Sequence, residues 1–245
     1  MGLYYVYAKH TRKGDTLRDY YGRYLLTFES RQVADEFWRA LKELKTAAGV
    51  QRFTTLHRST PQFWCYDAPE AWFAIHNVLQ EDDAWGQKVI HALMSNWDAT
   101  VNWNVINRVV EGSDWLNGGA FFIRNKIVPS QFWYADGSAI VPSTERRTKF
   151  VVRGTAFHKE DDEQVLIRSD KVVIEVAEST SSDRILFVGH DHGNGILTIT
   201  ADKSEWNFKD FFESFAAKFY TESGKNTEKE YVLYAPGFND EWELV

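Results

Sequence analysis

The sequence predicts an α+β protein whose first half mixes helices with strands and whose second half is all-β. Before residue 112, short strand patterns alternate with longer stretches of helical spacing. After residue 119, short apolar segments separated by turn residues predominate. The intervening segment 112–119 (GSDWLNGG) is rich in glycine and polar residues, as hinges and linkers are. We therefore expect two domains, residues 1–114 and residues 118–245.

The first half should form a β-β-α-β-β unit. Ser30 has the short hydroxyl side chain that favours a helix start, and apolar residues recur at helical spacing after it. Because Gly49 is a favourable residue just past a helix end, we expect this helix over residues 31–48. The expected strands on either side of it are residues 3–9, 24–29, 50–57 and 62–66.

Two further helices are expected before the hinge. Pro69 suits the first turn of a helix that would continue over residues 71–79. Apolar residues at every fourth position predict a longer helix over residues 84–110. Its segment 96–107 is rich in Asn and Asp, so a break is plausible there.

The second half is expected to consist of short strands joined by turns such as Asp136-Gly137. Five phenylalanines at helical spacing predict one short helix over residues 208–219. The expected strands are residues 120–125, 132–135, 139–142, 149–157, 164–167, 172–176, 185–189, 196–200 and 231–234.

One segment of the second half resembles a lobe of the β-trefoil fold found in ricin-B-like lectins. Residues 121–154 contain a strand, a loop, an aromatic strand, an Asp-Gly turn, another strand and a closing aromatic residue, in that order. Further closing aromatic residues occur near 206–208 and 242–244. The resemblance implies a β-trefoil lectin-like domain over residues 118–245, and the alternative is another small barrel or a sandwich.

Composition bears on the classes of partner. The formal net charge is −7 and no run of four Lys or Arg occurs, which argues against nucleic acids and anionic membranes as partners. Residues 1–10 lack the pattern of a signal peptide, Cys65 is the one cysteine, and no glycosylation sequon occurs. We therefore expect a cytoplasmic protein, and its oligomeric state stays open.

The segment 189–195 (GHDHGNG) contains a candidate metal site. His190 and His192 are two residues apart, so on a strand both imidazoles would point to the same side, as metal ligands often do. The alternative is that this segment is simply a hairpin turn. A second candidate is an anion site formed by Arg124, Arg146 and Arg147, with ordinary solvated arginines as the alternative.

Aromatic residues make up 16% of the chain, which is enough to line a groove as well as a core. Trp133 and Tyr134 are adjacent on an expected strand, so they must face opposite sides and one could be exposed. An exposed ring near Asp136 and Asn125 would suit a sugar or another small ligand. The alternative is that both rings serve packing.

The favoured hypothesis is a non-catalytic binding protein that recognises a carbohydrate, a small ligand or a protein partner through an aromatic-lined surface of the β domain. Walker A, G-x-G-x-x-G, G-x-S-x-G and H-E-x-x-H patterns are absent, so no cofactor is expected. The alternative is an enzyme of unusual type, and a structural or self-associating protein is a third possibility. The enzyme would have a pocket between the two halves, lined by Trp64, Trp103, Trp133 and His190.

Overall fold

A computed structural model describes residues 3–11, 23–94, 114–157, 164–177, 185–221, 228–238 and 240–245. The chain divides into two compact units, Met1–Asp114 and Trp115–Val245. Among the described residues, no helix is both long enough and apolar enough to cross a membrane.

The N-terminal unit contains a five-stranded sheet. Its strands are β1 (Tyr4–His10), β2 (Arg23–Phe28), β3 (Thr55–Thr60), β4 (Phe63–Asp67) and β5 (Ile90–Leu93). They lie in the order β3-β4-β1-β2-β5, with β1 and β4 parallel and the other neighbours antiparallel. Side chains of β2 alternate between buried and half-buried positions, so one face of the strand contributes to the core.

Helix α1 (Arg31–Glu43) begins as expected, because the Ser30 hydroxyl accepts a hydrogen bond from the Val33 amide. It ends at Glu43 rather than at residue 48. The backbone of Leu44 is extended, and the chain then turns back on itself through residues 46–49. The expected last turn of this helix is therefore wrong, since a local hairpin takes up those backbone groups.

A 3₁₀ turn (Ala71–Phe73) and two short helices, α2 (Ala74–Glu81) and α3 (Asp83–Gly86), follow β4. The long helix expected over residues 84–110 is wrong in its described part. After α3 the chain forms strand β5, which pairs with the open edge of β2. The backbone pairing available at that edge outweighs the helical spacing of the side chains. The rest of the expected helix, from residue 95 onward, lies outside the described residues.

Strands predominate in the C-terminal unit. They are β6 (Gly119–Asn125), β7 (Phe132–Asp136), β8 (Ala139–Ser143), β9 (Lys149–Gly154), β10 (Lys171–Val176), β11 (Phe187–His190), β12 (Leu197–Thr200), β13 (Trp206–Asn207), β14 (Phe215–Thr221), β15 (Glu228–Tyr234) and β16 (Trp242–Leu244). The described strands run in the order β11-β12-β8-β7-β6-β9-β10, and β10 pairs again with β11. Seven strands thus close into a barrel. The finer resemblance to a β-trefoil stays a prediction.

The remaining strands attach around this barrel. β13 pairs with β10, β16 pairs with β6, and β14 and β15 form a separate hairpin. The core of the unit centres on Trp133, whose ring lies 5.1–6.0 Å from the rings of Phe150, Phe211, Phe215 and Trp242.

Two local expectations for this unit are wrong. The helix expected over residues 208–219 is a single turn, α4 (Asp210–Glu213), because the chain from Phe215 onward pairs with β15. Phe219 is consequently 67% exposed instead of joining a buried helical face. The strand expected over residues 164–167 is reduced to an isolated bridge between Val165 and Leu116.

Candidate functional site

The outer surface of the barrel carries aromatic side chains on β6 and β7. Alternation along the strands turns Phe121 and Trp133 into the core and leaves their neighbours on the outer side. These neighbours, Phe122, Phe132 and Tyr134, are all half-buried. The rings of Phe122 and Phe132 are arranged edge to face, with their centres 6.4 Å apart.

Three cationic side chains lie over these rings. The guanidinium of Arg147 is 4.3 Å from the ring centre of Phe122 and 5.6 Å from that of Phe132. The ammonium of Lys149 is 5.4 Å from the ring centre of Phe122. These separations are within the range of cation–π attraction. We call this surface the cation–aromatic face; it consists of Phe122, Phe132, Tyr134, Arg146, Arg147 and Lys149.

Arg146 completes the cation–aromatic face beside Tyr134. Its guanidinium lies 5.4 Å from the centre of the Tyr134 ring, and Nη1 donates a 3.2 Å hydrogen bond to the tyrosine hydroxyl. The side chain therefore contacts both the π-face and the polar end of one residue, which favours a defined orientation.

The segment that carries the arginines connects β8 to β9 and is fixed by hydrogen bonds. The amide of Thr148 donates to the carbonyl oxygen of Trp133 at 3.0 Å, and the Thr148 hydroxyl accepts from the amide of Ala135 at 2.9 Å. The pairing of β6 with β9 then sets Lys149 opposite Phe122. The cations are thus held on the rings by β-strand register and by backbone contacts to β7.

Charge is distributed unevenly along this side of the barrel. Arg124 on β6 contacts Glu243, and Lys126 just after β6 contacts Glu241, each at 2.5 Å. In contrast, no ion pair joins Arg147 or Lys149 to a carboxylate in the described part of the chain. The expected anion site of three arginines therefore needs revision, because Glu243 neutralises Arg124.

The tryptophans expected to bind a ligand are packing residues. Trp133 is 0% exposed at the centre of the barrel core, and Tyr134 is the outward member of this pair. Trp64 is equally buried in the N-terminal unit, where its indole N–H donates to the carbonyl oxygen of Pro61. Trp103 lies outside the described residues.

The polar residues expected around Trp133 lie in other environments. The side-chain oxygen of Asn125 accepts hydrogen bonds from the amides of Ile127 and Val128, both at 2.9 Å. Its amide group is thus used to close the loop between β6 and β7. Asp136 is exposed and forms a 2.6 Å ion pair with Lys229. A ligand site formed by Trp133, Asn125 and Asp136 stays a prediction.

His190 and His192 come together where β11 leads into the turn towards β12. Their ring centres are 4.6 Å apart, and the His190 ring also packs against Trp206 and Tyr234. Burial and the neighbouring His192 lower the pKa of the His190 imidazole. No group of three or more His, Cys, Asp or Glu side chains suited to a metal occurs among the described residues. A metal at this pair stays a prediction.

Comparison of the chain with protein-family models, with curated proteins and with solved structures finds no match. The function therefore has to be argued from the side chains themselves. On the barrel, the cation–aromatic face brings Arg146, Arg147 and Lys149 together with the outward rings of Phe122, Phe132 and Tyr134.

Sequence reasoning identified Arg146 and Arg147 but missed the rings beneath them. The signal was available in the segment FFIRN, because a buried Phe121 requires an outward Phe122. A pair formed by His76 and His91 was also missed. Its signal was hidden because residues 84–110 were expected to be a helix, whereas His91 lies on a strand.

Proposed function

We propose that this is a non-catalytic binding protein whose cation–aromatic face recognises a small anionic ligand with a flat apolar part. The observation that carries the proposal is the position of Arg147. Its guanidinium lies over Phe122 and Phe132, and within the described residues it has no carboxylate partner.

The chemistry of the face suits such a ligand. A guanidinium can donate two parallel hydrogen bonds to a carboxylate or a phosphate, and an ammonium beside it adds a second positive charge. The guanidinium plane of Arg147, which lies over Phe122, offers a flat surface against which an aromatic group can stack. Because the rings lie on paired strands, little conformational entropy is lost when the ligand binds.

Binding is favoured over catalysis by the residue types involved. An arginine stays protonated in proteins, and a phenylalanine ring carries no exchangeable proton. Arg147, Phe122 and Phe132 can therefore orient a ligand but cannot transfer a proton to it. The enzyme alternative would require Tyr134 or Lys149, the titratable members of the face, to act on the ligand, and it stays a prediction.

The test compares three probes by NMR on the full chain: phenyl phosphate, inorganic phosphate and phenol. We expect phenyl phosphate to bind most tightly, with shifts confined to the amides of residues 122, 132 and 147–149. Replacing Arg147 with Gln should weaken this binding roughly tenfold or more, since a hydrogen bond to a charged group is worth about 1.5–3 kcal/mol.

Arg153→Gln provides the matched control. Arg153 is an exposed arginine on β9, the strand that follows the Arg147 segment, but it is already paired with Glu175 at 3.3 Å. Equal loss of binding in the Arg153 and Arg147 variants, or shifts elsewhere on the barrel, would overturn the proposal. If a neutral methyl glycoside shifts the same amide resonances in the wild type and in the Arg147 variant, the ligand of this face is a carbohydrate and not an anion.

A further inference from the structure

His76 of α2 and His91 of β5 face each other in the N-terminal unit. Nδ1 of His76 lies 3.1 Å from Nε2 of His91, and the ring planes are inclined by 56°. We propose that this pair binds a divalent transition-metal ion such as Zn²⁺, Ni²⁺ or Cu²⁺. The proposal is independent of the cation–aromatic face, which belongs to the other unit.

The separation of the two nitrogens suits a shared metal ion. Two imidazole nitrogens bound to Zn²⁺ at about 2.0–2.1 Å in tetrahedral geometry are about 3.4 Å apart. Two neighbouring ligands of a square-planar ion at the same bond length are about 2.9 Å apart. The observed 3.1 Å lies between these values. Small side-chain rotations would therefore admit the ion, and water would complete its coordination.

The hydrogen bond between the two rings is compatible with metal binding. Imidazole binds metal ions in its neutral form. Without metal, one of the two facing nitrogens must carry a hydrogen that is donated to the other. Metal binding moves that hydrogen to the second nitrogen of the same ring, and no net proton is released.

Both proposed metal-binding histidines lie on regular secondary structure, His76 on α2 and His91 on β5. Ala74, Ile75, Val78 and Leu79 anchor α2 in the core, and β5 is paired with β2. His91 lies opposite Leu26 in that pairing, and its ring is 6.1 Å from the ring of Tyr24. Because two packed elements fix the nitrogens, the site is preorganised rather than assembled by the ion.

The experiment uses the full chain after treatment with EDTA. Cu²⁺ is followed by electron paramagnetic resonance and Zn²⁺ by titration calorimetry. We expect one ion per chain, a copper spectrum with coupling to two nitrogens, and no comparable heat with Mg²⁺, which prefers oxygen ligands. His76→Gln and His91→Gln should each weaken binding roughly tenfold or more and remove one nitrogen coupling.

His192→Gln is the matched control, because it removes one histidine from the other close pair. It should leave affinity and spectrum unchanged. Circular dichroism melting without metal shows whether each variant folds, and the nitrogen coupling then reports the ligands of folded protein alone. Wild-type binding in both the His76 and His91 variants overturns the proposal. Loss of binding in the His192 variant overturns it too, since the ion would then lie at His190 and His192.

Discussion

Arg58 Nη1 donates a 2.6 Å hydrogen bond to Asp35 Oδ1, and the two side chains are only 4% and 1% exposed. Two further charged groups extend this pair. Arg31 Nε lies 3.4 Å from the second oxygen of Asp35, and Arg58 Nη2 lies 2.7 Å from Asp114. Helix α1, strand β3 and the last residue of the N-terminal unit are thereby joined through a group of charges whose central pair, Arg58 and Asp35, is buried.

Replacing Arg58 with Met should strongly destabilise the protein. Burial raises the pKa of the Asp35 carboxyl while Arg58 opposes that rise, so removing the guanidinium leaves a buried carboxylate without its main partner. We expect a loss of about 3–5 kcal/mol in the free energy of unfolding, measured with urea. The double variant Arg58→Met with Asp35→Leu should recover part of the lost free energy of unfolding, because the buried carboxylate is then removed as well.

Lys209→Met, which breaks an exposed pair with Glu213, is the control and should change stability little. A loss in the Arg58 variant as small as in the control would contradict this account.

The stability of the protein should fall as the pH drops from about 7.5 to 5.5. The pKa of His190 is lowered in the folded state, so below the ordinary histidine pKa the unfolded chain takes up a proton that the folded chain does not. The contribution of His190 to the free energy of unfolding is therefore complete above the ordinary histidine pKa. It is lost as the pH falls from there towards the lowered pKa of the folded state. His91 contributes with the same sign.

Urea unfolding at the two pH values tests the contribution of His190. His190→Gln should make the free energy of unfolding differ less between pH 7.5 and pH 5.5, whatever its effect on stability at each pH. His57→Gln, at an exposed position, serves as control. An unchanged difference in the His190 variant would show that this imidazole is not the group responsible.

Two buried tryptophans should differ in their tolerance of phenylalanine. Both rings are fully buried, but the indole N–H of Trp242 donates to the carbonyl oxygen of Phe215 at 3.0 Å, whereas that of Trp133 has no partner among the described residues. Trp242→Phe leaves a buried carbonyl unpaired and should cost about 1–3 kcal/mol more than Trp133→Phe. Thermal unfolding of the two variants gives the comparison, and equal losses would count against the hydrogen bond.

Gly195→Ala should be more harmful than Gly137→Ala, although both glycines have positive φ (76° and 63°). The backbone cost of an L-residue in this region is about 1–2 kcal/mol at either position. At Gly195 an added Cβ would also lie 2.7 Å from the carbonyl oxygen of Tyr234, whereas nothing lies within 4 Å at Gly137. We expect roughly 1–3 kcal/mol of additional loss at Gly195, measured by chemical unfolding. Similar losses at both positions would mean that the Tyr234 segment moves aside at little cost.

Local chemistry made part of this architecture predictable from the sequence. The start of α1 follows from the capping hydroxyl of Ser30, and the turn between β7 and β8 follows from Asp136-Gly137. Strand alternation also required that Trp133 and Tyr134 face opposite sides. Each of these depends on residues only a few positions apart, whose preferences are intrinsic to the backbone and the side chain.

The two wrongly expected helices share one physical cause. Residues 84–110 and 208–219 have apolar side chains at helical spacing, yet β5 lies within the first range and β14 begins within the second. A free strand edge on β2 and the partner strand β15 supplied backbone hydrogen bonds that the local pattern does not reveal. When segments far apart in the chain can pair, periodicity alone does not decide between helix and strand.

The sequence by itself thus determined a mostly β second half, the start of α1, several turns and the opposite orientation of adjacent strand residues. Only the tertiary structure decided that β10 closes the barrel onto β11 and that Trp133 is the inward member of its pair. It likewise decided that Arg147 lies over Phe122 and that His76 meets His91. These relationships join residues brought together by strand register and packing, and such contacts are set by the whole fold rather than by the nearest neighbours in sequence.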